Sequence, residues 1–430
     1  MDKKKVLIIA GIAVLVIIFI LIIGAKRNQG TGPVTLKFWG VYDDMSFYSD
    51  LISAYQKENK NVTIQYEEKP FDTYEKDLIN ALAAGTGPDI FSIHNVWLPK
   101  YKDKIVFMPQ GENFLTLRNF QDTFVDVAYA DFVGENNIYG IPFYVDTLAL
   151  YYNKEMFNSA NISSPPTTWD EFLDDVELLT KKDQAGNILK SGAALGTAEN
   201  INRSTDILSL LMLQTGAQMV DTTQRRAMFN ESTYLNNQLF NPGEDALRFY
   251  TDFSNPTKRV YSWNNQMPYS IDAFYEGKAA MMINYSYQIE TIRNKSPYLN
   301  FGISKLPQIE NRDFDINYAN YWGQVVSKAS KNSAEAWKFL IFLSKKENVK
   351  KYLELAKRPT SRRDLADWQK EDPDLGIFAS QVLSAKSWYQ PDSGAIEKIF
   401  ADMIKSVVLG EAALGVAINK AVDEVNVLMK

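Results

Sequence analysis

Apolar positions in this chain switch between two periods. Val34 to Trp39 (VTLKFW) alternates apolar and polar side chains, the two-residue period of a strand, and Phe47, Leu51, Ile52 and Tyr55 then recur at the spacing of a helix face. Val62, Ile64 and Tyr66 return to period two. Tyr74, Leu78, Ile79 and Leu82 form a second helical face, for which Asp72 with Glu75 predicts a capping box and Gly85 a C-terminal stop. Gly85 to Ile93 (GTGPDIFSI) gives a turn and a short buried strand, with His94, Asn95, Val96 and Trp97 directly at its end. Alternating strands and helices predict an α/β fold with a mainly parallel sheet, helices on both faces, and ligand bound outside the carboxyl ends of the strands.

Farther along, Thr168 with Glu171 (PPTTWDEF) predicts a capped helix through Phe172, Val176 and Leu179. KDQAGN, residues 182–187, is a polar turn; calcium binding by Asp183 and Asn187 is the competing reading, but the EF-hand spacing and its terminal Glu are missing. Helical periodicity resumes at Ile207–Leu213, at Ala336–Leu343 and at Ile396–Val408. Residues 218–268 are weakly periodic, and no internal repeat is present.

The first residues are of another kind. Val6 to Ala25 carries no charge and, as a helix, would span about 30 Å, the thickness of bilayer hydrocarbon. Lys3, Lys4, Lys5 and the N-terminal amine stand before it, against Lys26 and Arg27 after it, which favours a cytoplasmic N-terminus. A cleavable signal would have a shorter apolar core and a small-x-small site, whereas Ile23 stands where a small residue is wanted. The expectation is an uncleaved single-pass membrane anchor (residues 1–29), a short polar stem (26–33) and an extracytoplasmic body.

At 430 residues, 46% hydrophobic and 13% aromatic, the chain is long enough for about two folded domains. Residues 1–29 contribute +4 to a net charge of −6, leaving about −10 for 30–430, an unfavourable surface for a nucleic-acid partner. Cysteine is absent, so disulfides, thiolate metal sites and a cysteine nucleophile are excluded.

AAGTGPDIF (83–91), IYGIPFYVDTLALYYNKEMF (138–157), PPTTWDEF (165–172), FYEGKAAMMINYSYQIETI (274–292) and SKNSAEAWKFLIFLSKKE (330–347) occur in the order of one large family. The chain resembles the bacterial extracellular solute-binding proteins of ABC importers, in particular their sugar-binding group. The resemblance implies a type II periplasmic-binding-protein-like fold of two α/β lobes with ligand between them, no catalysis, no cofactor, a monomer, and an ABC permease as partner. It implies crossings near residues 144–147, 303–307 and 359–363, with lobe one at 30–145 and 308–360 and lobe two at 146–307 and 361–430. The lipid-modified cysteine that tethers many relatives is missing here, and the apolar N-terminal segment would take its place.

A sugar cleft needs flat aromatic platforms and short polar groups for hydroxyls. The resemblance puts Asp146 at a ligand-contacting position, with capping of hinge amides as its plainer role, and Tyr287 at an aromatic platform where Trp is commoner. Trp39, Asp43 and Asp44 follow the first strand, Asn95 and Trp97 another, Tyr321 and Trp322 lie in a turn before Val325, and Trp388 and Tyr389 in a loop, all candidate ligand contacts. Trp169 and Trp337 fall on amphipathic helices and read as structural, while Trp263 and Trp368 are left open. No metal ligand is assigned. Rival readings are a polyamine or ferric-iron binder, a tethered glycosidase with paired carboxylates, and a scaffold without a transporter; the single histidine, His94, leaves little for His-based catalysis and reads as a loop residue near the cleft.

Overall fold

A computed structural model of the chain describes residues 32–430 apart from 224, 236, 237 and 313. The expected anchor at 6–25 lies outside the described residues, among which no helix is long and apolar enough to cross a membrane.

Two hydrophobic cores divide the body. The first surrounds a sheet ordered Val62–Glu68, Val34–Gly40, Ile90–His94, Trp322–Ser327 and Ile105–Val106, with Gly140–Pro142 also paired to Trp322–Ser327. The second surrounds a sheet ordered Lys181–Lys182, Ile188–Ala193, Ala279–Asn284, Ala149–Asn153 and Phe301–Ser304. Both sheets are mixed rather than mainly parallel. In the first, only the two pairings of Val34–Gly40 run parallel, because Trp322–Ser327 enters antiparallel to Ile90–His94 after a long excursion through the other core.

Helix boundaries follow local chemistry. Thr168 and Glu171 form the expected capping box before Trp169–Leu179, whose buried face is Trp169, Phe172, Val176 and Leu179. Helix Phe71–Ala83 instead starts after Pro70, without a side-chain cap, so the Asp72–Glu75 box does not form; Glu75 accepts from Tyr101 and pairs with Lys100. Gly85 ends that helix with φ 70°, a conformation glycine takes without strain. Residues 182–187 form a turn in which the Asp183 carboxylate accepts from the amides of Ala185 and Asn187, and no cluster of three metal-ligating side chains exists among the described residues. The weakly periodic stretch contains short hairpins and helix Pro242–Asp252.

The chain leaves the first core after Val145 and joins the second at Leu148. The return comes between Tyr318 and Ala319, later than the expected 303–307, because Phe301–Ser304 is the edge strand of the second sheet and the Leu306 amide is tied to Gln381. From Leu365 onward the chain weaves: Leu375 and Phe378 join the second core, Val382 and Ala385 the first, and Trp388 the second again. A three-stranded ribbon, Asp146–Thr147, Asn317–Asn320 and Ala385–Lys386, collects these passages side by side.

Candidate ligand cavity between two cores

A cavity of about 570 Å³ opens between the cores, flanked by the ribbon. Its first wall lies at the carboxyl end of Ile90–His94 and at the start of Trp322–Ser327. Trp322 packs edge-on against Trp97 (ring centres 5.1 Å apart), His94 (5.6 Å), Tyr42 (6.1 Å) and Phe71 (6.2 Å), and Tyr42 stacks on Phe71 at 5.1 Å. All five rings line the cavity. Burial pushes the His94 imidazole down to about 4, so it faces the cavity as a neutral donor or acceptor.

The second wall is polar. Tyr287, 44% exposed, precedes helix Gln288–Lys295 and accepts a hydrogen bond from Nε of Arg203 at 2.8 Å. Asp206 and Ser209, from helix Ser204–Thr215, and Glu397 and Phe400, from helix Ser393–Val408, complete it. Tyr285, behind this wall, donates to Asp206 at 2.8 Å.

Asp146 sits between the walls, 5% exposed, and its carboxylate accepts from the Ser286 amide (3.0 Å), the Ser286 hydroxyl (2.7 Å) and the Thr147 amide (2.8 Å). It therefore caps backbone and also lines the cavity. Burial outweighs these hydrogen bonds and pushes its carboxyl up to about 7.

Trp97, Asp146, Tyr287 and Trp322 are thus brought together; the other sequence candidates are not. Asp43 is 3% exposed and committed to the fold, pairing with Arg358 at 2.7 Å and accepting from Tyr48 (2.6 Å) and Tyr352 (3.0 Å). Asp44 caps the turn Met45–Phe47. Trp39 lies under the Lys69 ammonium, 4.0 Å from its ring centre. Asn95 and Tyr321 both donate to the half-buried carboxylate of Asp131, at 2.9 and 2.6 Å, and desolvation pushes that carboxyl up to about 6. Trp388 stacks on Phe400 within the second core, and Tyr389 is 39% exposed outside the cavity. Tyr321, between the strands Asn317–Asn320 and Trp322–Ser327, is committed to the first core and to Asp131, and only its neighbour Trp322 reaches the cleft.

Sequence reasoning missed Tyr42, Phe71, Arg203, Asp206 and Glu397. The one local signal for Arg203 was a lone cation three polar residues ahead of the apolar run ILSLLML.

Two contacts join the walls across the cavity edge. The Trp97 indole donates to the Ser393 hydroxyl at 2.9 Å, and the Lys100 ammonium bridges Glu75 (2.9 Å) on one side and Asp392 (3.0 Å) on the other.

Among known proteins, the chain is similar to the galactooligosaccharide-binding protein of Bacillus subtilis (strain 168), with 25% identity over 81% of this chain and 76% of that one. It is similar also to the maltotriose-binding protein of Pyrococcus abyssi, with 24% identity over 88% and 79%. In fold it matches the solved cyclic alpha-maltosyl-1,6-maltose binding protein of Arthrobacter globiformis, with a TM-score of 0.77 and 19% identity over 93% of this chain and all of that one. The sequence pattern of one family covers residues 39–350, so this chain, with its ligand-sized cavity between two α/β cores, belongs to the bacterial extracellular solute-binding proteins.

Proposed function

We propose that the protein captures an oligosaccharide between its two lobes and presents it to the permease of an ABC importer, without catalysis. The observation that carries this is the division of labour across the cavity: flat rings of Trp97 and Trp322 on one wall, hydrogen-bonding side chains of Tyr287, Arg203 and Asp206 on the other. Rings bury the apolar faces of a sugar, and fixed polar groups penalise any ligand that leaves them unpaired. The relatives named for galactooligosaccharide and maltotriose support the same class. The contacts joining the walls are of a kind that would favour a closed, liganded shape, which a permease can distinguish from an open one.

The ligand contacts we assign are Trp97, Asp146, Tyr287 and Trp322, joined by Tyr42, His94, Arg203 and Glu397. The apolar segment 6–25 would hold this body on the outer face of the membrane, in place of a lipidated cysteine. A thermal-shift screen of residues 30–430 against mono- and oligosaccharides, polyamines, amino acids and iron tests the class. A shift with one saccharide series, reduced by Trp97→Ala, is the expected result; a shift with a polyamine or iron alone would sink it. Sedimentation of the full chain with membranes, resistant to high salt but not to detergent, tests the anchor.

A further inference from the structure

Two arginines line the cavity, and their surroundings differ. Arg358 is engaged: it pairs with Asp43 at 2.7 Å, donates to the Tyr42 carbonyl (2.6 Å) and the Tyr352 hydroxyl (3.2 Å), and lies 4.4 Å from the centre of the Tyr144 ring. Arg203 has the same five N–H donors, and its one hydrogen bond to a described residue is that from Nε to Tyr287. Its guanidinium lies 5.6 Å from the Tyr285 ring centre and 5.7 Å from that of Tyr287, which fixes the fork while leaving both terminal amino groups for a ligand.

The backbone points the same way. Arg203 has φ 63° and ψ 27°, the left-handed region, at the position preceding helix Ser204–Thr215. Stability alone would favour Asn, Asp or Gly there, because these residues tolerate that conformation and Asn or Asp can also cap the helix. A strained arginine with free donors, facing a cavity, marks a functional position.

What else faces the cavity sets the charge of the ligand. Glu75 is paired with Lys100, but Asp206 and Glu397 both act on Arg203, so the carboxylates around this arginine already exceed its single charge. Arg358 is neutralised by Asp43, and Arg203 is balanced through space by Asp206, close enough to act on its charge. A carboxylate brought in by a ligand would meet this acidic surplus. Two neighbouring hydroxyl oxygens could instead accept parallel N–H bonds from the fork without adding charge. We infer that Arg203 is a specificity-determining residue of this cavity, gripping adjacent hydroxyls of an uncharged sugar ring, and that acidic sugars are excluded. This rests on the saccharide reading above.

The test is calorimetric titration of the full-length chain in detergent with a panel of neutral di- to tetrasaccharides, galactotriose and maltotriose among them, and with trigalacturonate. Wild type, Arg203→Asn and Arg203→Lys are compared, with thermal midpoints measured alongside. Asn suits the left-handed backbone, so the midpoint should hold or rise while affinity for the neutral sugar falls roughly 30-fold; Lys, a point charge without the fork, should not restore it. Trigalacturonate should bind wild type at least roughly 10-fold more weakly than the best neutral sugar. Unchanged affinity in Arg203→Asn, or tighter binding of trigalacturonate, would overturn the inference while leaving the saccharide reading intact. Binding of no saccharide by wild type would overturn both.

Discussion

The two walls of the cavity are built differently. On the first, Trp322 and Trp97 are 7% and 9% exposed and belong to the hydrophobic core, so the same rings line the cavity and hold up the lobe. On the second, Tyr287 is 44% exposed, Glu397 is exposed and Arg203 is half-buried, and none of the three belongs to the core behind them. The first wall ties recognition to folding, whereas the second separates them, so ligand preference can change there at little cost to stability.

The sharpest way to break this comparison is to truncate one ring on each side. Trp322→Ala should destabilise the protein by about 3–5 kcal/mol, and Tyr287→Ala by less than about 1 kcal/mol, although both weaken sugar binding. Urea unfolding with parallel titration measures it, and equal losses of stability would erase the distinction. Asp43→Ala should also cost about 3–5 kcal/mol, because it strands the Arg358 guanidinium without its carboxylate partner. A near-neutral result would mean that Arg358 finds another acceptor.

Acid–base behaviour supplies a middle-sized effect. Asp146 and Asp131 have folded-state values raised by burial to about 7 and about 6, so the folded protein favours their protonated forms. Their contribution to stability is complete below about pH 4 and is lost as pH rises through 6 and 7, at up to about 1.4 kcal/mol per pH unit for each group. The thermal midpoint should therefore fall between about pH 4 and about pH 7, and Asp146→Asn should flatten the upper part of that fall. A slope that survives Asp146→Asn would assign the titration elsewhere.

The smallest effect should come from the bridge between the walls. Lys100 is about one-third exposed, so Lys100→Met should change stability by less than about 1 kcal/mol. Ligand release should quicken a few-fold at low salt, with the difference closing at high salt. Stopped-flow release at two ionic strengths reads both, and a salt-independent change would point to packing rather than charge.

Much of the first lobe was legible because its opening elements are short and regular. Val34–Gly40, Val62–Glu68 and Ile90–His94 each show themselves through alternation or a turn signal, and in the second lobe the Thr168–Glu171 box announced its helix. The late strand Trp322–Ser327 could not be assigned its antiparallel place from periodicity, because direction within a sheet leaves no mark on alternation. Within the site, Trp97 and Trp322 were accessible as aromatics at strand ends. Asp43 looked equally suitable and proved to be a fold residue, since its partner Arg358 is remote in sequence. Arg203 and Glu397 escaped notice for a related reason: only the folded chain brings the starts of two distant helices to one cavity.

The placement of Trp322–Ser327 also governs the order of assembly. This strand sits between Ile90–His94 and Ile105–Val106, in the middle of the first sheet, yet it is made after most of the second lobe. Until it arrives, Ile90–His94 keeps an unpaired, apolar edge, the kind of surface that recruits other strands. The first lobe to be started therefore stays unfinished until most of the second has been made. A chain halted before residue 327 should be a chaperone client or an aggregate rather than half a receptor.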